Sequence, residues 1–331
     1  MTAHTLSAPR QLGAAGPTIS PFVLGCMGMS GMYGPSDEKE SIATIHAALD
    51  AGVTLLDTGD FYGQGHNEAL ISRALADRRD QALLSVKFGA LRAPGGAFIG
   101  FDARPVAVKA SLAYSLTRLG VDHIDIYRPA RLDPNVPIED TIGAIADMVK
   151  AGYARYIGLS EVGVGTIRRA NAVHPIVDLQ IEYSLASRSP EAAIFPVLRE
   201  LGIGVTAYGV LSRGLLSGSA ISSAKDFRAG LPRFSGEAGA TNRKLVAELQ
   251  DVAASSGHTL SQLAIAWVMS KGDFIFPALG SRTRAQLTEA LGALAVTLSA
   301  EQASALERIA GDIVGTRYDA HQMQALDSER A

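Results

Sequence analysis

Three residues able to do acid–base chemistry stand at or just past the ends of short apolar runs. Asp57 falls near the end of VTLLDT (53–58), Tyr62 follows five residues on in DTGDFYGQGHNE, and Lys87 lies in ALLSVKF (82–88). A lysine cation beside a phenol favours the phenolate and draws the tyrosine pKa down from ~10 toward values useful for proton transfer. A carboxylate paired with that lysine keeps the cation charged and oriented, and the product is a general acid able to protonate an oxyanion. Taken singly, each residue has an ordinary use: Asp57 caps a loop, Tyr62 packs, Lys87 is solvated. Their coincidence at three successive sites favours the chemical reading. A fourth run, HIDIY (123–127), ends abruptly in Arg128-Pro129-Ala130-Arg131, which offers two arginines and no His, Glu or Cys.

The elements that must position these residues alternate along the whole chain. The runs FVLG (22–25), VTLLDT, ALLSVKF, HIDIY, ARYIGLS (154–160), IVDLQIEY (176–183), GIGVTAYG (202–209) and FIFPALG (274–280) are each followed by a segment with helical spacing. In the first of these, Ile42, Ile45, His46 and Leu49 lie on one face and Gly52 ends the pattern. Near-continuously apolar strands separated by helices imply a parallel sheet covered on its outer side. Eight such units predict an α/β fold of the closed (β/α)8, or TIM-barrel, type: one domain over 1–331, with active residues at the C-terminal ends of the strands. No G-x-G-x-x-G follows the first strand, which argues against an open dinucleotide-binding sheet. The longest irregular stretch predicts a lid loop over 217–240, and 311–331 forms a C-terminal tail that either folds over the barrel or frays.

Composition narrows the class further. The 331 residues are 47% hydrophobic, and 30 Lys and Arg against 33 Asp and Glu give a net charge of -3, the wrong sign for a general nucleic-acid binder. The single cysteine, Cys26, excludes an internal disulfide and any multi-cysteine metal site, so no metal is expected and a reducing compartment is. The N-terminus lacks the charged-then-apolar layout of a signal peptide, and no apolar run approaches the ~18 residues of a membrane span. The expectation is a soluble cytoplasmic protein with a small-molecule partner and no nucleic-acid or membrane partner. Its oligomeric state is not written in any sequence feature.

The run GVTLLDTGDFYGQGHNEALISRAL, the lysine of LLSVKFG, GLSE (158–161), LQIEYSL (179–185) and AYGVLSRGLLSG (207–218) together resemble the aldo-keto reductases, over roughly residues 10 to 310. The resemblance implies a barrel that binds NADPH without a Rossmann fold and reduces aldehydes or ketones. It assigns Asp57, Tyr62 and Lys87 to three members of a catalytic tetrad. The fourth member, a histidine that orients the substrate carbonyl, is replaced by Ala130 in Ala130-Arg131. The resemblance also implies that Ser160 and Gln180 hold the nicotinamide carboxamide, that Tyr208 stacks on its ring, and that Leu211, Arg213 and Gly214 hold the pyrophosphate. Gly280, Ser281, Arg282, Gln286 and Glu289 would hold the adenosine 2′-phosphate end, Arg282 chiefly setting a preference for NADPH. Glu161 stands where Asn is frequent, and Ala290 replaces another Asn.

Met27, Tyr33, Phe61 and Phe88 are expected to line an apolar substrate mouth. Arg128 either stands in for the histidine, or turns to the rim or pairs with an acidic residue. Losing one donor aimed at an oxyanion costs ~2.7 to 4 kcal/mol, which slows catalysis without abolishing it. Two other readings stay open: a non-catalytic NADPH-binding regulatory protein, and an enzyme reducing C=C bonds of enones.

Overall fold

The computed structural model of the chain describes residues 8–218, 221 and 226–330. Eight parallel strands close into a barrel in chain order: β1 Val23–Gly25, β2 Leu55–Gly59, β3 Leu83–Phe88, β4 Ile124–Pro129, β5 Ala154–Ser160, β6 Ile176–Glu182, β7 Gly204–Tyr208 and β8 Ile275–Gly280. Around them run α1 Glu38–Asp50, α2 His66–Ala74, α3 Pro105–Leu119, α4 Ile138–Lys150, α5 Val164–Val173, α6 Ile194–Leu201, α7 Gly236–Ser255, α8 Leu260–Ser270, α9 Arg284–Gly292 and α10 Ala300–Gly311. All eight runs of the sequence are strands of the barrel. The Pro- and Gly-rich stretch after β3 is not all loop, because Ala90–Arg92 pairs with Phe98–Phe101 in an antiparallel hairpin.

Alternation along each strand sorts side chains between the barrel interior and the helix layer. On β3, Leu84, Val86 and Phe88 face the helices. On β4, Tyr127 does the same, stacks on Phe88 at 4.5 Å and donates its hydroxyl to the carbonyl of Val108 in α3. The floor of the barrel is a separate apolar plug of Leu12, Ile19, Val23, Leu55, Ile126, Val177 and Phe276, contributed partly by an N-terminal hairpin, Arg10–Gln11 with Thr18–Ile19.

Above that plug the interior turns polar. Arg128, fully enclosed, donates to Asp178 Oδ2 and to Ser85 Oγ, both at 2.9 Å, and Thr206 also donates to Asp178. Gly158 makes room for this pair, since a Cβ there would lie 2.6 Å from Asp178 Oδ1 and 3.0 Å from Arg128 Cζ. Outside the barrel, Trp267 of α8 is wholly buried and donates its indole N–H to Glu307 of α10 at 2.9 Å. Lys271 lies 4.6 Å and Arg188 5.4 Å from the indole centroid, and the Tyr183 ring packs at 5.4 Å.

Of the segment expected to be a lid over 217–240, residues 219–220 and 222–225 lie outside the described residues. The remainder is partly helical: a 3-10 turn spans Phe227–Gly230, and α7 begins at Gly236. The C-terminal tail folds back over the barrel mouth, with α11 Ala320–Gln324 and a final turn at Asp327–Glu329. No helix among the described residues is long and apolar enough to cross a membrane.

Candidate active site

Strand order brings Asp57 of β2 beside β3, where Lys87 points inward and its ammonium pairs with Asp57 Oδ1. Asp57 Oδ2 accepts from Ser85 and from the side-chain amide of Gln180, each at 2.9 Å. Burial opposes the charged form of Asp57, but Lys87 and Arg128 outweigh it, and the carboxyl sits below its ordinary pKa. Burial is also the first influence on Lys87 and leaves its pKa lowered despite Asp57. Tyr62 lies in the short turn between β2 and α2, with the Lys87 Nζ 5.2 Å from its ring centroid and the Phe61 ring edge-on at 4.8 Å.

The sequence suggested that Lys87 draws the phenol pKa down. In the structure burial pushes it well above its ordinary value, with Asp57 and Tyr33 adding to the shift and Arg131 opposing it. The Lys87 ammonium is committed to Asp57, and at the phenol burial and the Asp57 charge prevail. Tyr62 is therefore held as the neutral acid.

The other side of the mouth is made by β5, β6 and β7. Ser160 and Gln180 are register partners on adjacent strands, as are Glu182 and Tyr208. Glu161 follows Ser160 with φ of 53°, a left-handed conformation that Asn tolerates better than Glu. Its carboxylate is enclosed by donors: Arg317 binds both oxygens at 2.7 and 2.6 Å, Ser328 gives a bond of 2.7 Å, and Tyr208 Oη another of 2.7 Å. Burial alone would raise the Glu161 pKa, yet Arg317 and Arg131 bring it to about 2. This tail-to-barrel pair was invisible in the sequence, where nothing links positions 161 and 317.

Beyond β7, Ser212, Arg213 and Gly214 have φ of 46°, 56° and 95°, a left-handed run that turns the backbone sharply. Leu211 closes it by accepting from Gly214 N–H at 2.9 Å. Arg213 binds Glu182 at 2.7 Å and stacks on the Tyr318 ring at 4.3 Å. After β8, which ends at Gly280, Ser281 is buried and Arg282 donates to the carbonyls of Tyr33 and Pro35 at 2.9 and 3.3 Å. Gln286 accepts from Arg282 N–H at 2.8 Å, whereas Glu289 turns to α8 and accepts from Thr259. Arg282 makes no ion pair among the described residues. The N-terminus of α9 already holds Glu40, which is balanced by Arg284.

Two expected substrate residues are elsewhere. Phe88 is one step from inward-facing Lys87 and so faces α3. Arg128 shares the inward parity of Lys87 but is sealed beneath it by Asp178, so of the expected alternatives it is the one paired with an acidic residue, and it neither stands in for the histidine nor reaches the rim. Met27, in the turn after β1, Tyr33 and Phe61 remain at the mouth; burial pushes the Tyr33 phenol up to about 12. Arg131 is the residue that sequence reasoning passed over. Past the strand end its side chain swings across the mouth to Ser160 Oγ at 3.2 Å and Tyr208 Oη at 3.4 Å.

A closed eight-stranded barrel with an Asp–Lys pair and a tyrosine at its C-terminal mouth defines a class, and comparison with known proteins identifies it. Residues 21–310 match the model of the Aldo/keto reductase family. Similar solved structures include the glycerol dehydrogenase of Gluconobacter oxydans, with 27% identity, 97% of this chain and 99% of that one covered and a TM-score of 0.83. An aldo-keto reductase of Bacillus halodurans in its holo form gives 28%, 95%, 99% and 0.77. A thermostable aldo-keto reductase bound to the inhibitor epalrestat gives 26%, 92%, 100% and 0.72. The chain belongs to the aldo-keto reductase family and is an oxidoreductase; members of this family use nicotinamide cofactors and act on small carbonyl compounds.

Proposed function

We propose that the protein is an NADPH-dependent reductase converting aldehydes or ketones to alcohols, with Tyr62 as general acid, working in the cytoplasm. The observation that carries this reading is the Tyr62 phenol set at the barrel mouth beside a closed Asp57–Lys87 pair. Tyr62 Oη–H gives its proton to the carbonyl oxygen, and Lys87 with Asp57 fixes the phenol's surroundings without drawing its proton away. The chemistry the cofactor supplies when bound is hydride for the carbonyl carbon, so that C=O becomes H–C–O–H. Met27, Tyr33 and Phe61 exclude water around the reacting centre.

The donor set at the mouth fits a nicotinamide. Ser160 and Gln180 offer a hydroxyl and an amide side by side for a carboxamide, and Tyr208 offers a ring next to them. The left-handed run at Leu211–Gly214 turns backbone toward a pyrophosphate, with Arg213 as its charge; the turn at Phe227–Gly230 lies beside it, Arg228 donating to the Arg213 carbonyl at 3.0 Å. Gly280, Ser281, Arg282 and Gln286 would hold the 2′-phosphate end, where Arg282 has no ion-pair partner among the described residues. Equal dissociation constants for NADPH and NADH, unchanged in Arg282→Ala, would refute this last assignment.

The deciding experiment is NADPH oxidation with an electron-poor aromatic aldehyde, run on wild type and Tyr62→Phe. Turnover that falls by ~10²- to 10⁴-fold in the variant is the expected outcome. Equal rates would remove Tyr62 from the chemistry. Tight NADPH binding without any turnover would point instead to a cofactor-binding regulatory protein.

A further inference from the structure

Arginines near the barrel mouth are mostly matched by carboxylates: Arg128 by Asp178, Arg213 by Glu182, Arg317 by Glu161. Arg131 is different. Its three bonds go to neutral oxygens, the Ala130 carbonyl at 2.6 Å, Ser160 Oγ and Tyr208 Oη, and it makes no ion pair among the described residues. Glu161 attracts it at longer range but is itself bonded by Arg317, so the half-buried guanidinium has no carboxylate directly against it among the described residues, a costly arrangement that an arriving anion relieves. It is anchored to Ser160, itself next to Gln180, which binds Asp57; this puts the cation between the Tyr62 side of the mouth and the Tyr208 side.

We propose that Arg131 is a catalytic residue that binds the substrate's carbonyl oxygen and stabilises the negative charge it acquires, the role left open by Ala130. The inference rests on the reductase reading above. Ala130 presents a methyl group and can donate nothing, whereas the neighbouring guanidinium always carries its charge and always donates. Its charge also acts on Tyr62, where it is the foremost influence pulling the phenol pKa down against burial, Asp57 and Tyr33. The deletion of one donor is thus met by a cation one residue further on. The two roles are separate: Tyr62 gives up the proton, and Arg131 supplies charge and transfers nothing.

The test compares wild type, Arg131→Met and Arg131→Lys in three measurements. The first is steady-state reduction of an uncharged aromatic aldehyde, in which Arg131→Met should lower kcat by ~10²- to 10³-fold, the loss typical of one oxyanion donor. Arg131→Lys should recover at least tenfold of that loss. The second is NADPH binding by calorimetry, which should stay within threefold of wild type in both variants. The third is benzoate binding to the NADP⁺ complex, an oxyanion probe that needs no turnover; its Kd should rise at least tenfold in Arg131→Met.

The proposal is overturned if Arg131→Met keeps kcat within threefold, if Arg131→Lys is no better than Arg131→Met, if NADPH binding falls in step with kcat, or if benzoate binding ignores the substitution. A wild type that binds benzoate through Arg131 yet reduces no aldehyde would break the reductase reading and, with it, the catalytic role. Aldehyde reduction with an indifferent Arg131 would break this inference alone.

Discussion

Two acids on opposite sides of the barrel mouth, one half-buried and one buried, have moved in opposite directions. Asp60, in the turn after β2, has its pKa raised to about 7, first by burial and then by the nearby Glu68, because Arg118 is committed to Glu68. Glu161, after β5, is at least as enclosed and is brought to about 2. Desolvation is the strongest influence on both, so burial does not decide the outcome. The decision lies in whether the chain delivers a cation to the carboxylate. Asp60 receives none of its own, while Glu161 receives Arg317 from 156 residues away. The flank carrying Tyr62 is assembled locally from β2 and β3; the flank carrying Ser160 and Tyr208 depends on the tail.

The largest expected effect tests the local flank. Lys87→Met leaves Asp57 buried beside only the more distant Arg128 charge, and removing one partner of a buried pair costs about 3–5 kcal/mol. Urea denaturation should show that loss, and adding Asp57→Asn should return most of it without returning aldehyde reduction. If the single variant unfolds at the wild-type midpoint, the pair does not organise this flank.

Next is the tail-dependent flank, where Arg317→Met should cost about 3 kcal/mol, near the lower end for such pairs because Tyr208 and Ser328 still donate to Glu161. The same denaturation experiment checks it, and an unchanged midpoint would make the tail an ornament rather than a clamp.

A smaller effect separates the two acids by pH. Because its folded pKa is depressed from 4.5 to about 2, Glu161 contributes stability that is fully present above pH 4.5 and is lost as pH falls through 2. Asp60 works the other way. Its folded pKa is raised from 3.8 to about 7, so stability declines as pH rises between those values and stays reduced above them. Asp60→Asn should therefore stabilise the protein at pH 8 and leave it unchanged at pH 3.5, while Glu161→Gln should do harm at pH 8 that fades toward pH 2. A stability profile in which both variants run parallel to wild type would erase the contrast.

The smallest change is Ser328→Ala, which removes one donor from a carboxylate that keeps its arginine. It should cost about 1 kcal/mol or less; a loss equal to that of Arg317→Met would mean that the final turn, not the ion pair, holds the tail.

The local flank could be read from the sequence almost completely, and the other only in part. Asp57 and Lys87 sit at strand ends whose apolar runs are legible and Tyr62 in the turn just past one; parity along β3 sends Phe88 outward once Lys87 points in, which the expectation of Phe88 at the substrate mouth left out of account. The same parity puts Arg128 inside with Ala130. What parity does not give is the register of β6 against the rest, which sets Asp178 beneath Arg128. Nor does any spacing rule reach from Glu161 to Arg317, or predict that Arg131, freed from strand geometry, turns back across the mouth. Asp57, Tyr62 and Lys87 could be placed because chain neighbours position them; the charges around Arg128 and Glu161 were hidden because distant segments supply them.

The protein has a single tryptophan, Trp267, at the α8–α10 seam, and this makes it optically simple. Its emission comes from one sealed indole tied to Glu307, with Tyr183 as a close energy donor. Tyr183 follows Glu182, a partner of both Arg213 and Arg317, so the emitter stands behind the clamp and outside the barrel mouth. A red shift of that emission would report α10 lifting from the barrel. Detachment of the tail beyond Gly315 alone would leave the emission maximum in place, so the two motions can be told apart in a cuvette without attaching a label.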